Sequence, residues 1–184
     1  MHGDSIKSFA VAASVVFIDG WFGHVGGAAR PEGFAAVDAA TGKATSFRRA
    51  AFDPVVANGK LYVDLDPHSA HTRSAAFDLP NLVRDRRWAP PSFGYVFAAD
   101  SQFAYSRFQT NARPQFRYTG DLGVPDKEQL VALDPATGAV RWRSPVFSQP
   151  INPYGGSSIP RISLNAVDSS TYVPVGGNFQ RVQD

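Results

Sequence analysis

The sequence predicts an all-β chain assembled from repeated four-stranded antiparallel units. Three observations carry this. Residues 34–47, Phe-Ala-Ala-Val-Asp-Ala-Ala-Thr-Gly-Lys-Ala-Thr-Ser-Phe, and residues 130–142, Leu-Val-Ala-Leu-Asp-Pro-Ala-Thr-Gly-Ala-Val-Arg-Trp, share one pattern. It consists of a small apolar strand ending in Asp, a tight turn and an aromatic-ended strand, and a worn copy runs from Ala75 through Asp78 to Trp88. The 16 Gly and 14 Pro among 184 residues supply the turns that many short strands require. No segment keeps a 3.6-residue apolar period over helical length.

The expected strands come in fours. The first set covers about 8–13, 15–19, 33–38 and 44–48, and the second about 54–57, 60–64, 74–78 and 82–87. The third covers about 94–98, 102–106, 129–134 and 139–143, and segments near 163–167 and 171–175 begin a fourth. Turn formers separate the first two strands of each set: Ala13-Ser14, Asn58-Gly59, Asp100-Ser101 and Asp168-Ser169-Ser170. Asn-Gly is the strongest, because both residues tolerate the positive φ of a tight hairpin. The chain is therefore expected to be one segment, 1–184, with units at about 8–48, 54–90, 94–144 and a partial 161–184.

A second marker supports the repeat. Residues 18–25 align without a gap on residues 175–182, an offset of 157 residues or three units of about 52. The units are unequal: Asp38 and Asp78 are 40 residues apart, Asp78 and Asp134 are 56. The extra length lies in 109–128, an inserted loop, and a second irregular stretch spans 144–160.

Composition bounds the chemistry. With no Cys, disulfides, thiolate metal sites and thiol catalysis are excluded. The net charge of +2 argues against a nucleic-acid partner, and the densest basic cluster, Arg84, Arg86 and Arg87, has Asp85 inside it. The apolar run 9–18 after Lys7 is read as strands and not a signal peptide, because Asp19-Gly20-Trp21-Phe22 follows instead of a small-residue cleavage site. No apolar stretch approaches the roughly 20 residues of a membrane helix.

In the repeated motif, Asp38 and Asp134 end a strand and are placed to accept N–H groups of the next turn. Thr41-Gly42 and Thr137-Gly138 close that turn, with Gly supplying a backbone conformation costly for other residues. Ala36 and Ala132 leave room for a ring, and Phe47, Trp88 and Trp142 are the aromatics expected to pack there.

These residues carry a resemblance. Ala132, Asp134, Thr137, Gly138 and Trp142 match the docking motif of propellers resembling pyrroloquinoline-quinone proteins. Phe22, Val25, Gly26, Gly27, Ala29 and Arg30, followed by Ala36, Asp38, Thr41, Gly42 and Phe47, look like a delta-sixty repeat, found in bacterial β-propeller proteins, many of them exported. The resemblance spans about 9–182, strong in the first and third units and weak in the second. It implies propeller blades, three and the start of a fourth, belonging to a larger propeller whose remaining blades are partners. It implies an extracellular or periplasmic setting. The vicinal Cys pair of the family's quinone enzymes is missing, so no cofactor is expected.

No catalytic constellation emerges. Gly-x-Ser-x-Gly is absent, and Gly26-Gly27 and Gly176-Gly177 read as turn glycines because no helix or Lys follows them. Asp64, Asp66, His68 and His71 have the donor types of a divalent-metal site. The plainer reading is a polar connection, since Pro67 marks a loop. Arg113, Phe116, Arg117 and Tyr118 in the insertion combine groups that stack on rings with groups that pair with anions. The expected function is a non-catalytic binding or scaffold module for a small-molecule, glycan or protein ligand. The alternatives are a segment of a quinone-cofactor oxidoreductase, or of an exported glycan-binding or glycan-cleaving protein.

Overall fold

The computed structural model describes residues 5–30, 33–65, 74–91, 96–109, 127–144, 146–148 and 181–183. Every regular element among them is a β-strand, and every strand pairing is antiparallel.

The first sheet orders β1 (Ser5–Ala12), β2 (Val15–Trp21) and β5 (Phe34–Asp38) side by side. A small hairpin, β3 (His24–Val25) and β4 (Ala28–Ala29), turns on Gly26-Gly27 between them. The second sheet runs β6 (Phe52–Ala57), β7 (Lys60–Asp64), β8 (Ser74–Asp78) and β9 (Val83–Arg84). The third runs β10 (Val96–Ala99), β11 (Ala104–Gln109) and β12 (Lys127–Leu133). Along β12 pair both β13 (Val140–Arg143) and β14 (Val146–Ser148), and β15 (Arg181–Gln183) adds to β14.

Two expected strands are shorter than the sequence pattern. The strand expected at 44–48 contracts to one bridge between Val37 and Ala44. Thr45 still donates its N–H to the Ala36 carbonyl, but its own carbonyl is taken by the Arg30 guanidinium at 3.0 Å. Its hydroxyl accepts the Phe47 N–H at 3.2 Å, so the chain leaves the ladder there. The strand expected at 82–87 is only Val83–Arg84, because Leu82 has a φ of +54° and the Asp85 carboxylate takes the Arg87 N–H. Part of the stretch expected to be irregular, 144–160, is strand: β14. The segments expected at 163–167 and 171–175 lie outside the described residues.

The register is the same in all three sheets. Phe17 faces Ala36, Tyr62 faces Ala76, and Tyr105 faces Ala132. Neighbouring rungs pair Val16 with Val37, Leu61 with Phe77, and Ala104 with Leu133. Because side chains alternate across a strand, these rungs define two faces. The front carries the aromatic and the alanine; the back carries a pair of apolar residues, aliphatic except for Phe77.

The core follows from stacking front on back. Phe17, Phe34 and Ala36 from the front of the first sheet pack with Leu61, Val63, Ala75 and Phe77 from the back of the second. Tyr62 and Ala76 from the front of the second pack with Ala104, Val131 and Leu133 from the back of the third. β7 is consequently buried at all five positions, including both faces. Between sheets, β1 lies beside β6 and β6 beside β10, so the first strands of the units are neighbours.

Candidate functional site

The expected Asp turn forms twice with the same hydrogen bonds. Asp38 Oδ1 accepts the Thr41 N–H at 2.8 Å and its hydroxyl at 2.7 Å. Asp134 Oδ1 accepts the N–H groups of Ala136 at 2.9 Å and Thr137 at 2.8 Å, and the Thr137 hydroxyl at 3.0 Å. Gly42 and Gly138 donate to the Asp38 and Asp134 carbonyls with φ of +66° and +75°. Asp78 makes the third version: Leu82 stands where the glycines stand and donates its N–H to the Asp78 carbonyl at 2.8 Å.

The bonds acidify both carboxyls. Thr41, through its hydroxyl and its N–H, holds Asp38 below the ordinary carboxylate range. The Arg141 guanidinium, followed by the Thr137 and Ala136 donors, pulls Asp134 down to about 2. Oδ1 of each carboxylate closes its own turn, and Oδ2 of Asp134 accepts from Arg141. These groups hold backbone in place and are poorly suited to proton transfer near neutrality.

The aromatics occupy the front faces. Phe47 meets Phe17, Phe34 and Phe77 edge-on, with centroids 6.4, 6.2 and 5.5 Å away. Trp88 lies 5.2 Å from Tyr62, and Trp142 6.1 Å from Tyr105 and 6.4 Å from Phe103. Trp88 is buried, whereas Phe47 and Trp142 are half-buried. In each unit the ring stands over the rung where an aromatic faces alanine, the space that a larger side chain at Ala36, Ala76 or Ala132 would fill.

Unit-to-unit clasps accompany this packing. Ala89, next to Trp88, donates its N–H to the Thr137 carbonyl at 2.9 Å. A Cβ added at Gly138 would come within 2.7 Å of the Pro90 nitrogen, so the third turn sits directly on the chain leaving Trp88. Between the first two sheets the clasp is ionic. Asp19, buried on β2, accepts the Asp53 N–H at 3.3 Å, and Lys7 Nζ lies 2.9 Å from Asp53 and 3.6 Å from Asp19. Burial raises the Asp19 pKa despite these partners.

Sequence reasoning missed Lys60. Its ammonium lies within the second sheet, 2.6 Å from both Asp78 and Asp85. Burial opposes its charge, but the two carboxylates outweigh that and raise its pKa, while Lys60 and then Arg87 hold Asp85 well below the carboxylate range. The Asp inside the Arg cluster was the available signal. Arg84, Arg86 and Arg87 are exposed around the buried Asp85.

Of the expected metal ligands, Asp64 is buried on β7 at the register of Asp19. Asp66, His68 and His71 lie outside the described residues, as do Arg113, Phe116, Arg117 and Tyr118 of the insertion. Among the described residues, no three His or carboxylate groups gather as metal ligands would. No helix of the described residues is long and apolar enough to cross a membrane. No protein-family model matches the chain, and no curated protein matches it.

Proposed function

We propose that the chain is a non-catalytic binding or scaffold module built from β-propeller blades, resembling the delta-sixty and pyrroloquinoline-quinone-like repeats. The observation that supports this best is the recurring front-on-back packing of three sheets in one register, each with an aromatic wedge set over an alanine. Such a stack holds its connections at fixed positions while leaving their sequences free to vary. The ligand surface is assigned to the 109–128 insertion, with Arg113, Phe116, Arg117 and Tyr118 as its contacts. An exported setting and further blades as partners follow from the same resemblance.

The test separates scaffold from insertion. Because Gln109 ends β11 and Lys127 begins β12, the replacement is confined to residues 110–126. A Gly-Ser linker of equal length there is expected to leave the melting temperature within a few degrees, since the loop's closure entropy is nearly unchanged. Arg117→Ala with Tyr118→Ala in the intact chain is expected to abolish any signal on an array of acidic and neutral glycans. Collapse of the fold in the linker variant, or undiminished array binding in the double variant, would remove the insertion from the site.

A further inference from the structure

The three units treat charge differently just beyond their Asp turns. The residue seven places after the turn aspartate is Thr45 in the first unit, Asp85 in the second and Arg141 in the third. Arg141 pairs with its own turn aspartate, Asp134, and the Thr45 carbonyl is taken by the Arg30 guanidinium. In the second unit the position is itself an acid, and Lys60 bridges it to the turn aspartate Asp78. That bridge occupies both carboxylates and leaves the neighbouring arginines over. Arg84 and Arg86 are exposed, and among the described residues neither makes an ion pair. Arg87 reaches Asp85 only through its backbone N–H and Nε. The exposed Arg49 places its guanidinium 5.7 Å over the ring of Phe77, the residue paired across the ladder with Arg84. Cross-strand partners share one side of a sheet, so Arg49 and Arg84 flank the same ring.

The same residues border an open edge. β9 is the outermost strand of the second sheet, and among the described residues no further strand pairs with it. Asp85 donates its N–H to the Ala76 carbonyl, so by the alternation of an antiparallel ladder the N–H and carbonyl of Arg84 point away from β8. Val83 beside it is 61% exposed. We propose that this edge docks an extended acidic–apolar segment of a partner protein, which adds to β9 as a strand. The partner residue opposite Arg84 lies on the side shared with Arg49 and is a carboxylate. Its neighbours along the segment turn to the side of Val83 and are apolar. Unpaired arginines repel a second β9 and attract an acidic strand, which selects against a further copy of this chain. The outward N–H and carbonyl of Arg84 are matched by a peptide backbone and not by a sulfated glycan. This surface lies on the second sheet and makes no use of the 109–128 insertion.

The experiment titrates the full chain against short fluorescein-labelled peptides and reads anisotropy. One peptide alternates Glu with Val, and a second holds the same residues in two blocks. A third has Gln for Glu, and a fourth is the alternating peptide with N-methyl groups on its Glu nitrogens. The alternating peptide is expected to bind at least about tenfold more tightly than each of the others, the worth of one charge-assisted hydrogen bond. Arg84→Gln with Arg86→Gln is expected to erase that advantage and to leave the melting temperature nearly unchanged, since neither guanidinium holds an ion pair. Equal binding of the blocked or N-methylated peptide overturns the proposal, because the surface then reads charge alone, as it would on any polyanion. Equal binding of the Gln peptide, no binding of any peptide, or an undiminished advantage in the double variant also overturns it. None of these outcomes bears on the 109–128 insertion, whose failure as a ligand site shows in the glycan array.

Discussion

The turns at Asp38–Gly42 and Asp134–Gly138 are near copies in sequence and in internal hydrogen bonding, yet they stand in different surroundings. A Cβ added at Gly42 meets nothing within 4 Å, whereas one at Gly138 runs into the backbone of Ala89 and Pro90. Asp134 has Arg141 as a partner, while Asp38 relies on its own turn. The same local motif closes a free turn in one unit and carries an inter-unit contact in the other. A motif of this kind therefore reports local geometry reliably, and its energetic weight has to be read from the neighbouring sheet.

Four expectations probe that difference. The largest effect should come from removing the ring beside which the third turn docks. Trp88→Ala is expected to cost about 3–5 kcal/mol in denaturant titration, as for other buried aromatic truncations. Phe47→Ala should cost less, since that ring is half-buried. Equal losses for the two would mean that the two interfaces are energetically alike.

Lys60→Met comes next. It leaves the buried Asp85 carboxylate with Arg87 as its remaining partner and is expected to cost roughly 2–4 kcal/mol, somewhat under the loss for a fully buried pair because Arg87 stays and Asp78 is half exposed. In the native chain the Asp85 pKa is depressed, so its contribution to stability is present above the ordinary carboxylate range and lost as pH falls through the folded-state value. The variant should show a weaker loss of stability on acidification. An acid-unfolding curve of unchanged steepness would count against the Lys60–Asp85 pair.

The glycine pair tests the comparison directly. Gly42→Ala is expected to cost about 1 kcal/mol, the penalty for a side chain at positive φ. Gly138→Ala adds a backbone collision and should cost about 2–3 kcal/mol, within the range for strained backbone plus displaced packing. Similar melting temperatures for the two variants would show that the Gly138 turn moves off Pro90 without penalty.

The smallest effect is electrostatic. Arg141→Gln should move the Asp134 titration upward from about 2 in carboxyl-detected NMR, because Arg141 is the leading cause of its depression. Asp38, which has no such partner, should titrate as before. The stability linked to Asp134 is present above its ordinary pKa and is lost as pH falls through about 2, so the variant should lose it at a higher pH. An unmoved Asp134 resonance would assign its acidity to the turn donors alone.

Much of the strand pattern was legible in the chain itself. Asn58-Gly59, the Asp-x-x-Thr-Gly turns and the small-residue strands before them are specified by local sterics and hydrogen bonding, and β5, β7 and β8 fall where these signals place them. The outer strands were misjudged because competing side-chain bonds decide them: Arg30 with the Thr45 carbonyl, and Asp85 with the Arg87 N–H. Arg30 and Thr45 are 15 residues apart in sequence and meet only after folding. Leu82 was hidden for a related reason. Tertiary context holds it at positive φ, beside the core shared by the first and second sheets, where local propensity favours glycine.

By itself, then, the sequence determined the β character, the unit rhythm and the chemistry of the Asp turns, because each depends on residues within a turn or one strand of each other. Only the tertiary structure decided which faces meet, since the loops joining Phe17 to Ala36 and Tyr62 to Ala76 differ in length and hide the common register. It also decided that Lys60 and Asp85 share a buried site. These outcomes depend on burial and on contacts between distant segments, and no periodicity along a single chain encodes the desolvation that makes them matter.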